Sequence, residues 1–187
     1  IIDRMLRLAF IEKASSIFRV TGDNPFTDPY LMNEMSKMLN KHNLDYVRVN
    51  NAPFGVSAEI FSTKYLWKLY LKLESTEYSE YLSWYVLNDK DVKIGSIDLE
   101  SNNDSYLVNL SVDLLEDLDR CKKLLLKIGK KDFNNITLQD ILSNIGELEK
   151  VNDNKIIKLP QGTSMNLKDY LKSFNDKKYI IRKKIKL

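Results

Sequence analysis

The apolar residues of this chain switch several times between helix-like spacing and short strand-like runs, and that alternation constrains the fold more than any single motif. An opening helix carries Met5, Leu6, Ala9 and Phe10 on one side, and Ile17-Phe18-Arg19-Val20 then reads as a buried strand. Asp28-Pro29 supplies an N-cap and a first-turn proline for a helix to about Lys41. Leu44–Val49 is the next strand. A loop with Pro53 and Gly55 leads to Glu59-Ile60-Phe61, after which Ser62 caps a helix bearing Tyr65, Leu66, Leu69 and Leu73. A helix over about Glu77–Leu87, strands over Val92–Leu99 and Tyr106–Val112, and a long helix over Leu114–Ile128 closed by Gly129 follow. Thr137 caps another helix. From Asn152 the pattern reads strand, turn at Pro160-Gln161-Gly162, short helix with Leu167, Tyr170 and Leu171, and a basic strand. Repeated β and α units of this kind predict an α/β protein.

With 187 residues, 43% of them hydrophobic, the chain can bury one sizeable core, which excludes a disordered protein. Its apolar runs fall short of a membrane span and no charged-then-apolar leader opens it, so a soluble, cytoplasmic protein is expected. The single Cys121 excludes a disulfide framework and reads as a half-buried thiol within a helix. Ile1-Ile2-Asp3-Arg4 begins in mid-helix without an initiator Met, which predicts that an upstream segment is missing.

Charge is unevenly placed. Residues 176–187 hold six cations against Asp176, a net +5, so the overall +3 leaves −2 on residues 1–175. Such a tail can meet nucleic acid or an anionic surface, but Tyr179, Ile181 and Ile185 alternate with the charges as on a solvated edge strand, the preferred reading.

The candidate site begins where the first strand ends. Gly22 lets the backbone approach a ligand, and Asp23 is thrown out at the strand's carboxyl end, where open α/β sheets bind ligands. A hard oxygen ligand without Cys or His nearby suits Mg²⁺ carried by a nucleotide phosphate. Leu110-Ser111-Val112-Asp113 is a second apolar run ending in Asp. Two readings of Asp113 stand by spacing alone, a strand-end ligand and the N-cap of the following helix. Glu116 and Asp117 suit the helix macrodipole. Arg19 fits an ion pair within the strand better than a substrate contact, and His42 fits a solvated helix C-terminus. Trp67 and Trp84 fit a core or dimer surface better than a stacking platform.

The order Asp3-Arg4, Arg19-Val20-Thr21-Gly22-Asp23-Asn24-Pro25-Phe26-Thr27-Asp28-Pro29, Asp45-Tyr46-Val47, Pro53-Phe54-Gly55 with Glu59-Ile60-Phe61, and Leu110-Ser111-Val112-Asp113 with Glu116-Asp117-Leu118 resembles the cytidylyltransferase family of spore-coat polysaccharide biosynthesis, related to CMP-sugar synthetases. The resemblance covers about residues 1–150. It implies a three-layer αβα sandwich with a mostly parallel sheet, of glycosyltransferase-A or nucleotidyltransferase type. It further implies a Mg²⁺-dependent attack of a sugar on the α-phosphate of CTP, giving a CMP-sugar and pyrophosphate in a homodimeric enzyme. Asp23 and Asp113 would hold the metal, Thr21 and Gly22 would lie beside the nucleotide, and Asn50, Gly55, Glu59 and Glu80 would face the acceptor. The family's amino-terminal Gly-rich CTP loop has no counterpart here, so the chain alone is expected to be inactive. Its Glu-His-Val-Thr-Pro-Tyr pattern reads Glu80-Tyr81-Leu82-Ser83-Trp84-Tyr85, and its Thr-Val-Asp-Thr-Pro-Glu-Asp pattern reads Ser111-Val112-Asp113-Leu114-Leu115-Glu116-Asp117. On this basis residues 1–151 form the cytidylyltransferase-like domain and 152–187 an extension. The competing reading is a non-catalytic module of the same fold that binds a nucleotide-sugar or a protein. A nucleic-acid accessory module using the basic tail is the third.

Overall fold

A computed structural model describes residues 1–73, 82–100, 107–130, 132–146, 148, 150, 156–159, 162–175 and 179–186. Helix α1 (Ile2–Ile11) precedes strand β1 (Ser16–Arg19), helix α2 (Pro29–Lys41) and strand β2 (Tyr46–Asn50). Strand β3 (Glu59–Ser62), helices α3 (Thr63–Lys72) and α4 (Leu82–Asn88) and strand β4 (Ile94–Glu100) follow. The remainder is α5 (Leu115–Ile128), α6 (Leu138–Asn144), β5 (Ile156–Lys158), β6 (Ser164–Asn166), α7 (Leu167–Asn175) and β7 (Ile181–Lys186).

Five strands form the main sheet in the order β1-β3-β2-β4-β7. The short loop after β2 can only return the chain antiparallel, so β3 is reversed against β2, whereas α3 and α4 carry the chain back to start β4 parallel to β2. Strand β7 lies parallel to β4, and β1 is antiparallel to β3. Four strands therefore run one way with β3 reversed among them. Their carboxyl ends, together with the amino end of β3, share one edge of the sheet.

Alternating side chains send each face of the sheet into its own core. Val47, Val49, Ile60, Ile97 and Leu99 pack with Leu31, Met35 and Met38 of α2, Cys121 and Leu124 of α5, and Leu138 and Ile141 of α6. On the opposite face Tyr46, Phe61 and Ile94 pack with Ile2, Met5 and Leu6 of α1, Tyr65, Leu66 and Leu69 of α3, and Leu82 and Val86 of α4. This is the expected three-layer sandwich with a mostly parallel sheet.

The helix starts follow local chemistry. Asp28 accepts from the Leu31 amide at 2.8 Å ahead of Pro29, Ser62 from Tyr65 at 3.1 Å, and Thr137 from Asp140 at 3.2 Å. Gly129 ends α5 in the left-handed conformation at φ 68°.

Several elements differ from expectation. Strand β1 is half-buried along its length and Val20 lies outside it, because β1 is an edge strand paired on one side only. Phe10 is 80% exposed; the buried stripe of α1 is Ile2, Met5, Leu6 and Ala9. Cys121 is fully buried, not half-buried, with its thiol against the Leu110 carbonyl. Within Tyr106–Val112 the described residues form no regular strand, only isolated bridges at Val108 and Asn109. Of the helix expected over Glu77–Leu87, residues 77–81 lie outside the described set. Strand β6 was not anticipated; it pairs antiparallel with β5 in a separate two-stranded sheet.

Asp113 is not the N-cap of α5. The cap residue is Leu114, and Asp117 turns back to accept from the Leu114 and Asp113 amides at 3.0 and 3.1 Å. Arg120 pairs with Asp117 at 2.7 Å and also donates to the Asn109 carbonyl at 3.0 Å, so it ties α5 to the 108–112 segment. The Arg120 hydrogen bond, aided by those two amides, outweighs burial and holds the Asp117 carboxyl below its ordinary range. A carboxyl lowered in this way stabilises the fold above its unfolded pKa and loses that contribution as pH falls through the folded value. Asp117→Ala is expected to cost about 2–3 kcal/mol at pH 7. Urea unfolding of the variant and the wild type should converge as pH drops below the ordinary aspartate range; a pH-independent difference would refute the assignment.

The basic strand β7 has its acids close by. Arg182 pairs with Asp98 at 3.4 Å, Lys184 with Glu100 at 3.1 Å, and Lys183 with Glu34 of α2. Ile185 enters the core beneath α2 and α5.

Candidate functional site at the strand ends

The turn after β1 is built from its own side chains. Asn24 donates from its amide to the Thr21 carbonyl at 3.2 Å and from Nδ2 to Thr21 Oγ1 at 2.8 Å, and Thr27 Oγ1 donates to the Asn24 carbonyl at 3.0 Å. Gly22 sits exposed within this turn with nothing inside 4 Å of where a Cβ would stand. Space over the backbone here is open.

Two bonds then fasten the segment before α5 against this turn. Val112 N donates to the Asp23 carbonyl at 2.8 Å, and Ser111 Oγ donates to Asn24 Oδ1 at 2.7 Å. The consequence is that Asp113, exposed and one residue further on, stands beside the Asp23 turn although 90 residues separate the two in sequence. Asp23 Oδ1 is buried and has no hydrogen-bond partner. An orphaned carboxylate oxygen costs about 1–3 kcal/mol or more, a cost that a bound cation would offset. Among the described residues the Asp113 carboxylate makes no hydrogen bond or ion pair, since Asp117 has taken over the cap. A pocket of about 260 Å³ adjoins Gly22 and Asp23, walled by Phe26, Val112, Cys121 and Lys122.

A larger cavity of about 500 Å³ opens beyond the end of β2, and it brings Asn50 and Gly55 together. Gly55 stands at φ +85° directly against the Leu110–Ser111 backbone. Asn50 is 4% exposed, and its Nδ2 donates to Asp98 Oδ1 at 2.8 Å across the β2/β4 register. A carboxylate only accepts, so this contact fixes the amide orientation and leaves Asn50 Oδ1 buried without a donor. Glu59 is placed differently, and both of its oxygens are engaged. Oε2 accepts from Arg19 at 2.9 Å and Oε1 from the Tyr46 hydroxyl at 2.9 Å. Arg19 thus pairs within the sheet, directly opposite Glu59 in the β1/β3 register. Burial, then the Glu59 charge, pushes the Tyr46 phenol well above its ordinary pKa. Glu80 lies outside the described residues.

Three cations at the cavity were not singled out in the sequence. Arg48 interrupts the apolar run of β2 at its centre. Lys168 and Lys172 come from α7 at i, i+4 spacing, which by itself looks like any solvated helix face. Trp67 stands 44% exposed, edge-on to Tyr70 with centroids 5.8 Å apart. His42 is the residue that ends α2.

Four parallel strands with a reversed one among them and helices on both faces form a nucleotidyltransferase-like α/β fold. The family model for cytidylyltransferases matches residues 3–157, and the chain belongs to that family. It is similar to the spore coat polysaccharide biosynthesis protein SpsF of Bacillus subtilis, 27% identical over 133 residues, covering 70% of this chain and 55% of the relative. It is also similar to the uncharacterised protein MJ1063 of Methanocaldococcus jannaschii, 25% identical over 159 residues, covering 82% of this chain and 64% of the relative. The chain thus spans only part of the length of these relatives. A solved cytidylyltransferase from Leptospira borgpetersenii shares the fold with a TM-score of 0.66 at 20% identity, covering 81% of this chain and 67% of that one. No described helix is long and apolar enough to cross a membrane.

Proposed function

We propose that this chain forms the metal- and acceptor-bearing part of a cytidylyltransferase that activates a sugar with CTP, yielding a CMP-sugar and pyrophosphate for surface polysaccharide or glycan synthesis. The observation that carries the reading is the buried, partnerless Asp23 Oδ1 with Asp113 fastened next to it by the Val112 and Ser111 bonds. Family membership and the similarity to SpsF support it.

These residues fit Mg²⁺. They offer hard oxygen donors on two segments that the Val112 and Ser111 bonds fasten together. A Mg²⁺ site characteristically leaves positions for water and substrate phosphates. Held by Asp23 and Asp113, the ion would supply neutralisation of phosphate charge during transfer. In the reaction a sugar oxygen forms a bond to the α-phosphorus of CTP, the bond to the β-phosphate oxygen breaks, pyrophosphate leaves with that electron pair, and the sugar hydroxyl proton passes to solvent. The open backbone at Gly22 and Thr21 suits close approach of the nucleotide, and the cavity holding Asn50 and Gly55 suits the acceptor.

The test is pyrophosphate release by the complete gene product with CTP and Mg²⁺ across a panel of neutral and acidic sugars. Release that requires both CTP and the divalent ion is expected for at least one sugar. A folded protein that releases none would reject this reading in favour of a non-catalytic binding module.

A further inference from the structure

The outer face of α1 and α3 carries apolar surface that neither the core nor the strand-end site uses. A groove of about 410 Å³ runs between the two helices, walled by Leu6, Arg7, Phe10, Ile11, Trp67 and Tyr70. Met5, Leu6 and Ala9 of α1 and Tyr65, Leu66 and Leu69 of α3 fill the core-facing stripes, which leaves the other apolar residues outside. They stand well clear of the surface: Phe10 is 80% exposed, Ile11 69%, and Leu71, one turn on from Trp67, 80%. Large apolar side chains gathered this far out mark a binding surface. Positive charge is concentrated on the same two helices. Residues 1–13 and 63–72 hold Arg4, Arg7, Lys13, Lys64, Lys68 and Lys72 against Asp3 and Glu12, a net +4, whereas the rest of residues 1–175 carries −6. Arg7 pairs with Asp3 and Lys72 with Asp89, and Arg4, Lys13, Lys64 and Lys68 are exposed beside them.

Charge and shape together decide the occupant. A second copy of this chain would set one +4 face against another, so the partner is anionic. Apolar tips that protrude from a cationic surface, with Trp and Tyr beside them, suit a soft medium that admits the tips while its headgroups meet the cations. We propose that the α1/α3 face is a peripheral binding site for an anionic lipid bilayer. Phe10, Ile11, Trp67 and Leu71 enter the boundary between headgroups and acyl chains, and Arg4, Lys64 and Lys68 meet the lipid phosphates. The chain lies on the bilayer without crossing it, in keeping with the short helices of the described residues. The groove shares no residue with the strand-end acids or the cavity beyond β2, so this inference stands apart from the proposed activity.

The test is co-sedimentation of the complete gene product with vesicles of phosphatidylcholine alone and of phosphatidylcholine mixed with phosphatidylglycerol, for wild type, F10Q/L71Q and K64Q/K68Q. All four positions are exposed, so the variants keep the fold, with circular dichroism as the check. Binding to the mixed vesicles is expected to be about tenfold or more tighter than to the neutral ones and to weaken with added salt. K64Q/K68Q should lose roughly fivefold for each cation removed, and F10Q/L71Q about tenfold or more. Lipids brominated along their acyl chains should quench Trp67 emission on binding, a quenching missing from W67F. Pyrophosphate release without vesicles should be the same in every variant. No binding to the mixed vesicles, wild-type binding by either double variant, or binding without Trp67 quenching overturns the proposal. A wild type that ignores vesicles but forms a dimer that F10Q/L71Q dissolves makes the face a self-contact and equally overturns it. Vesicle binding as expected with no release from any sugar rejects the proposed function alone.

Discussion

Asp23→Asn in the complete gene product is expected to lower CTP-dependent pyrophosphate release by roughly 10²–10³-fold while leaving thermal stability equal to wild type or slightly higher. The two halves of that expectation have one cause. The Asp23 carboxylate keeps one oxygen buried with no donor, so the charge is carried at a cost in the absence of a cation. Asparagine removes the charge without changing the shape, which relieves the buried anion and leaves the Val112 bond to the Asp23 backbone carbonyl intact. Loss of function without loss of stability separates a ligand from a structural acid. Asp113→Asn should show a similar drop in turnover with no stability change, because its side chain is exposed and the α5 cap belongs to Asp117. Pyrophosphate release and a melting curve on the same samples check both. Full turnover in either variant, or a loss of several kcal/mol of stability in Asp23→Asn, would show that the carboxylates are structural.

What the sequence discloses and what it hides divide along the range of the interaction. Asp28, Ser62 and Thr137 are legible as caps because each acts on an amide three residues away, and such contacts are written in the local order of residues. The long helices follow for the same reason. Asp113 is harder: by spacing it serves equally as a cap or as a strand-end acid, and only Asp117 folding back onto Leu114 decides against the cap. The 107–112 segment has strand-like alternation, yet one bond to Asp23 and the exchange with Phe54 leave it bridging two loops without a place in the sheet. Arg19 shows the opposite case, since a lone cation in a strand implied an acid across from it, and Glu59 stands there. Lys168 and Lys172 had no local signal, because their partner surface is formed by β2 and its loop more than 100 residues earlier. The site is thus read in part from acids that follow apolar runs in the sequence and hidden in part wherever a distant helix completes it.

Gly55→Ala tests the joint that holds the two parts of the site in place. At φ +85° an alanine is strained by about 1 kcal/mol or more, and here sterics add to it. Its Cβ would stand 2.7 Å from Ser111 N, 2.8 Å from Leu110 C and 3.0 Å from Ser111 Oγ, two of them backbone atoms with no rotamer to yield. The segment must therefore shift, at a further 1–3 kcal/mol. Phe54 holds that segment through Val108 and Leu110, each at 2.9 Å, while Ser111 and Val112 hold the Asp23 turn, so the shift passes from the acceptor cavity to the acids. A total cost of about 2–4 kcal/mol is expected, lowering the melting temperature by roughly 5–15 °C in a chain of this size, with turnover reduced in the fraction that stays folded. Gly22→Ala supplies the contrast: its Cβ meets nothing within 4 Å and its backbone is not left-handed, so stability should change by under about 0.5 kcal/mol. If that variant nonetheless loses affinity for CTP, the open space over Gly22 is occupied by the nucleotide. If Gly55→Ala instead melts within a degree of wild type, the 110–111 segment is not the rigid link that places Asp113 beside Asp23, and another contact must hold the two acids together.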